Sequence, residues 1–179
     1  MILPFTSSEN RKYIPVGFME SEVVISNGLF VIYDSELYVF SVLASKIHNL
    51  WTRIVSGKLE TRIRYSVNLT YNNFPFPTIS KQRKEELIQC TLKILDERLK
   101  FPEKTLAELY DDDKMPEGLK EAHHQNDLAV EKCYRGIPFE NDNQRLEYLF
   151  NLYEKMIEEE KFQNTLFAKE KKTRKRKTT

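Results

Sequence analysis

The sequence predicts an α+β protein: a small β-sheet part built around a buried helix, then a small α-helical bundle, then a disordered basic tail. Three observations carry this. Residues 12–33 are rich in Val, Ile, Phe and Tyr and are punctuated by Gly17 and Asn27-Gly28, the pattern of short strands joined by turns. From Ser80 onward, apolar residues recur at helical spacing. Residues 168–179 hold seven basic side chains and one acidic one, whereas residues 80–167 hold fourteen and twenty. The net charge of +1 therefore hides an acidic bundle followed by a basic end. These shifts divide the chain into residues 1–79, 80–165 and 166–179.

Taken in order, Asn27-Gly28 stands between SEVVIS and LFVIY, and that dipeptide predicts a hairpin turn. Asp34-Ser35 offers a helix start, after which Leu37, Phe40, Ala44, Ile47, Trp51 and Val55 repeat at helical spacing while Tyr38, Val39, Val42 and Leu43 fill a second face. A helix apolar on two faces is a buried one. Gly57 should end it. The alternation in KLETRIRYSVNLTY predicts a strand with Leu59, Thr61, Ile63 and Tyr65 on a covered face and Glu60, Arg62, Arg64 and Ser66 on a polar one. The prolines of YNNFPFP, residues 71–77, forbid a regular helix and make an aromatic-anchored connector.

In the second part, Leu87, Thr91, Leu92, Leu95 and Leu99 mark one helical face. Thr105 and Glu108 have capping-box spacing. Pro116 can open a helix carrying Leu119, Ala122, Ala129, Val130 and Cys133, with a stop at Gly136. A last helix shows Leu146, Leu149, Phe150, Tyr153, Met156 and Ile157. Three such helices make a small bundle.

Composition excludes several classes. No apolar run reaches the roughly 18 residues that cross a bilayer, and the start lacks a secretory pattern, so a cytoplasmic location and no membrane partner are expected. Cys90 and Cys133 lie far apart inside helical patterns and read as small apolar residues. His48, His123 and His124 have no metal-ligand spacing, and Asp111, Asp112 and Asp113 read as a solvated turn.

The segments SSENRKYIPVGF (7–18), the long stretch 23–66 from VVISNGLF to RIRYS, YNNFPFP (71–77), LAELYDDDKMP (106–116) and LKEAHHQNDLAVEKCYRG (119–136) follow one another with characteristic gaps. In these segments the chain resembles the MmeI-like DNA methyltransferases, over nearly all of residues 7–160. The resemblance implies a target-recognition domain followed by a C-terminal helical part, cut from an adenine-specific enzyme that uses S-adenosylmethionine and sometimes carries a nuclease. Double-stranded DNA and the catalytic methyltransferase domain of the same parent protein are the implied partners. A glycine-rich cofactor loop and an Asn-Pro-Pro-aromatic motif are missing from these residues; Asn73-Phe74-Pro75-Phe76 has Phe in place of the first proline. No catalytic, metal-binding or cofactor-binding residue is therefore expected in this chain. A free-standing specificity subunit and a purely structural interaction module are the alternatives.

Side chains read bases chiefly in the major groove, and other basic groups hold phosphates. Glu60, Arg62 and Arg64 are the expected base-reading residues, since alternate strand positions share a face and the resembling family places specificity residues just before R-Y-S. In relatives the positions of Glu60 and Arg62 often hold Lys and Asp, an exchange that would swap a cytosine acceptor and a guanine donor. Asn27 and Gly28 are further candidates by the same resemblance. Lys58, Arg53, Lys46, Arg11 and Lys12 are expected phosphate contacts on charge and location.

Overall fold

The computed structural model describes residues 1–20 and 22–176, with side chains of the last helix described as far as Gln163. The N-terminal residues supply two strands for which the sequence offers no alternating signal. These are β1 (Ile2–Pro4) and β2 (Thr6–Ser7). Strand β1 pairs antiparallel with β3 (Leu29–Val31), setting Leu3 opposite Phe30. The hairpin expected at Asn27-Gly28 does not form: residues 22–26 are not strand, and β3 takes its partner from the chain start. No glycine has a positive φ among the described residues, so the left-handed turn that makes Asn-Gly a hairpin signal is missing here.

The predicted single helix is two. Helix α1 (Leu37–Leu43) and α2 (Lys46–Val55) are separated at Ala44-Ser45, where the Ser45 hydroxyl accepts from the His48 N–H at 3.4 Å and donates to the Val42 carbonyl at 2.6 Å. Serine at this point satisfies the free N–H groups of a new helix, which is the local reason for the break. The expected Asp34-Ser35 start is also displaced. Glu36 takes the cap position, with no side-chain cap bond. Both helices are buried as expected, with Phe40, Val42, Leu43, Ile47 and Trp51 inside.

Strands β4 (Gly57–Leu59) and β5 (Arg62–Arg64) form a hairpin, and β2 pairs on the other side of β5, giving the order β2-β5-β4. A π-helical turn (Val67–Tyr71) follows, capped by Ser66. Then come α3 (Lys81–Leu99), the single turn α4 (Leu106–Leu109), α5 (Glu117–Tyr134) and α6 (Asp142–Arg176). The Thr105 and Glu108 capping box is formed, and Pro116 occupies the cap of α5. On α3 the buried stripe is Leu87, Cys90, Thr91, Ile94 and Arg98, whereas Leu99 is 74% exposed. The stripe is turned from the expected one because α3 lies between α1 and α5, and its burial follows both neighbours. Helix α6 continues as helix to Arg176, through most of the segment expected to be a disordered tail. Residues 177–179 of that tail lie outside the described residues.

The two apolar clusters cross the junction near residue 79. One joins Leu3, Val16, Phe40 and Tyr65 to Ile94, Tyr110 and Leu119. The other joins Val42, Ile47, Trp51 and Phe74 to Leu87, Val130 and Leu149. Polar bonds are threaded through the same seam. The Asn126 amide donates to the Ser41 carbonyl at 2.9 Å, Thr91 Oγ1 to the Leu37 carbonyl at 2.9 Å, and buried Arg98 to the Val16 carbonyl at 2.7 Å. The Tyr134 hydroxyl reaches the Pro75 carbonyl at 3.1 Å, which ties the proline connector to α5.

Asp127 ties α5 to two segments of the first part. Its carboxylate accepts from the Tyr13 hydroxyl at 2.8 Å and from the Lys46 backbone N–H at 2.7 Å, so a residue of α5 caps α2. Burial raises its pKa to about 7, against the two hydrogen bonds that favour the charged form. A folded-state value above the unfolded one means a contribution that is complete below the unfolded pKa and is lost as pH rises through about 7. His48 and His123, lowered by burial to about 4 and about 3, act oppositely, losing stability as pH falls below 6.5. The Asp127 effect is therefore isolated by difference. Relative to the parent, Asp127→Asn should gain on the order of a few kcal/mol between pH 4.5 and 7.5, on top of a constant loss because an amide has one acceptor oxygen for two donors. Parallel urea stability profiles for the two proteins would refute it.

Candidate nucleic-acid interface

The β4–β5 hairpin projects three charged groups. Arg62 and Arg64 stand on the exposed face of β5, with Ile63 between them buried against the body. Glu60 is not on that strand, as the alternation suggests, but in the turn, with φ 56. Left-handed backbone at a non-glycine residue is uncommon and is suited to a tight reversal. The turn still brings the pair together: an Arg62 guanidinium nitrogen lies 3.3 Å from Glu60 Oε2, with side chains 55% and 77% exposed. At that exposure the ion pair adds little stability. Its acceptor and donors remain open to a ligand.

The sheet register separates Lys58 from this group. Lys58 is paired with Ile63, and Leu59 with Arg62, so Lys58 belongs to the opposite face. Leu59 and Thr61, expected on the covered face, are exposed, and Leu59 shares the face of Arg62.

Asn27 and Gly28 are exposed and lie at the same edge as Arg64, through Phe5. The Phe5 N–H donates to the Gly28 carbonyl at 2.8 Å, and its carbonyl accepts from the Tyr65 N–H at 2.9 Å. The Arg64 guanidinium carbon sits 5.0 Å from the Phe5 ring centroid, a cation–π arrangement that orients its donors. Phe5 thus links two segments that are far apart in sequence. No local pattern marks it; only the pairing of Thr6 with Arg64 places it there.

The other expected cations collect elsewhere. Lys12, Lys46 and Arg53 line a cleft of about 360 Å³ with Tyr13, Asn49 and Asp142. They are already engaged. Lys46 pairs with Asp142 at 2.9 Å and Lys12 with Asp112 at 3.5 Å, while Arg53 donates to the Arg11 carbonyl at 2.8 Å and the Arg11 side chain to the Ala107 carbonyl at 3.4 Å. The structure therefore gives two separate groups, a hairpin edge and a basic cleft. Among the described residues no cluster of three or more acidic, histidine or cysteine side chains suits a metal, and the Cys90 and Cys133 thiols are pushed up by burial.

The family profile of the MmeI target recognition domain matches residues 1–78, and that of the MmeI C-terminal domain matches residues 79–160. The chain belongs to the MmeI family. DNA methyltransferase A of Bacillus subtilis (strain 168) is 46% identical over 158 residues, covering 88% of this chain and 18% of that protein. A solved structure of the type IIL restriction-modification enzyme MmeI in complex with DNA superposes with a TM-score of 0.84 at 38% identity, covering 88% of this chain and 21% of that one. The chain spans about a fifth of the length of these MmeI-family relatives. In MmeI terms, the hairpin edge with Glu60, Arg62, Arg64 and the Asn27-Gly28 turn lies wholly within the target recognition domain, whereas the basic cleft borrows Asp142 from the C-terminal domain.

Proposed function

We propose that this chain reads the sequence of double-stranded DNA on behalf of an MmeI-like DNA methyltransferase, presenting the β4–β5 hairpin to the major groove. The observation that carries the reading is the hairpin itself: an exposed acceptor and two exposed guanidinium groups, fixed on a three-stranded sheet whose inner residue is buried in the core. The likeness to MmeI solved with DNA supports it. Glu60 and Arg62 read one C·G pair between them, Glu60 accepting from the cytosine amine and Arg62 donating to the guanine edge. Arg64, Asn27 and Gly28 serve neighbouring positions. Lys12, Lys46, Arg53 and Arg11 hold phosphates after giving up their present partners, and Lys58 does so from the other face of the hairpin. Methyl transfer from S-adenosylmethionine to adenine belongs to a catalytic domain of the parent enzyme. The acidic helical part faces away from the duplex, because its charge would repel phosphates.

Selection from a randomised duplex pool tests this. The double exchange Glu60→Lys with Arg62→Asp should change the preferred base at one position, towards its complement. A correct bidentate contact is worth about 1–3 kcal/mol of discrimination, so roughly fivefold to 150-fold separates the two pools. Lysine meets the same backbone requirement at φ 56 as glutamate does, so the comparison reports chemistry more than strain. An unchanged preferred site would sink the assignment.

A further inference from the structure

We propose that the shallow pocket beside Arg64 is a base-reading subsite that takes the 5-methyl edge of a thymine adjoining the base that Arg64 contacts; this rests on the recognition reading above. The pocket encloses about 420 Å³, and its lining includes Phe5, Phe30, Gly57, Arg64, Val67 and Leu69. Two aromatic rings, 5.2 Å apart, form one side. Val67 and Leu69 form another and remain 39% and 54% exposed.

That exposure is imposed by the local fold. The π-helical turn is capped where Ser66 Oγ accepts from the Leu69 N–H at 3.2 Å, and it is anchored from below where Trp51 Nε1 donates to the Thr70 carbonyl at 3.0 Å. Thr70 and Trp51 are buried, so Val67 and Leu69 cannot both turn inward without breaking those bonds. Two apolar side chains are thereby held in solvent on the rim that Arg64 occupies. Gly57, opposite Arg64 in the register, also lines the pocket, and a Cβ there would meet only the Arg64 carbonyl, at 3.9 Å, an ordinary contact, so a side chain can be added at this position.

The charge around the pocket selects the occupant. Arg64 is the charged side chain of the pocket's lining, and Arg62 shares its face of the hairpin against the single acid Glu60 in the turn, which suits a polyanion. In the major groove, the apolar group that a base edge presents is the thymine methyl. A guanidinium held over the Phe5 ring, beside an apolar cup, complements a guanine next to a thymine.

Duplexes recovered by the full chain from a randomised pool provide the probe. Each thymine is replaced in turn by deoxyuridine, which lacks only the 5-methyl group. At one thymine the replacement should weaken binding about fourfold, the value expected for one buried methyl. Leu69→Ala should shrink that penalty to below about twofold, and Gly57→Leu, which fills the cup, should abolish it. Circular dichroism confirms that both variants fold. Recovered sites without thymine, deoxyuridine tolerated at every thymine, or a penalty in both variants as large as in the parent chain would each overturn the subsite while leaving the hairpin reading intact. If the parent chain recovers no sequence at all, the recognition reading fails and the subsite with it.

Discussion

A chain ending after residue 79 is expected not to fold, whereas the full chain unfolds in one cooperative transition. The two family profiles meet between residues 78 and 79, and that junction invites separate expression of the two parts. The packing argues against it. Phe40, Val42, Leu43, Ile47 and Trp51 are at most 1% exposed, and their neighbours in the two clusters include Ile94, Leu119, Leu87, Val130 and Leu149 from beyond the junction. Each large apolar side chain returned to water costs about 1.5–3 kcal/mol, so uncovering several of them is comparable to the roughly 5–15 kcal/mol that holds a typical domain together. The buried polar groups make the loss steeper. Ser41 loses Asn126, and α2 loses the Asp127 carboxylate at its N-terminus. A dispersed amide spectrum and a sigmoidal urea transition from residues 1–79 alone would contradict this expectation.

What the sequence made legible follows the range of the interaction. The Thr105 and Glu108 capping box and the opening of α5 at Pro116 are set within a few residues, and both appear as expected. The burial of Trp51 and of both faces around Phe40 follows from a pattern that no exposed helix could sustain. The strands are another matter. Strand β3 pairs with β1 across more than twenty residues, and no local pattern distinguishes that pairing from a hairpin at Asn27-Gly28. Register decides the site in the same way. Arg62 and Arg64 share a face as alternation implies, but Glu60 joins them through a turn and Lys58 is on the other side. Arg98, whose stem lies in the buried stripe of α3 and whose guanidinium lies over the Phe40 and Tyr110 rings, carries no sequence mark that separates it from a surface arginine.

Trp51→Ala is expected to cost about 3–5 kcal/mol, the range for removing a large buried aromatic side chain, and to loosen the turn that carries Val67 and Leu69 in the same step. The indole is packed against three rings, Phe74 at 6.2 Å, Phe150 at 5.4 Å and Tyr153 at 5.5 Å, the last two from α6. Its Nε1 also donates to the Thr70 carbonyl at 3.0 Å, and Thr70 is itself bonded to the Ser56 hydroxyl at 2.7 Å, where α2 gives way to β4. Alanine leaves a cavity and a buried carbonyl with no donor, and the second of these alone is worth about 1–3 kcal/mol. Trp51→Phe separates the two consequences. It keeps much of the ring packing but loses the hydrogen bond together with part of the indole's volume, so its stability loss should be about 1–3 kcal/mol and smaller than that of alanine, while the turn carrying Val67 and Leu69 loses its anchor to the same extent as in the alanine variant. Urea unfolding followed by circular dichroism measures the first effect, and amide hydrogen exchange at residues 67–71 measures the second. Equal stability in the two variants would show that packing against α6 contributes nothing, and unchanged exchange at the turn in Trp51→Phe would show that the Thr70 bond does not hold it.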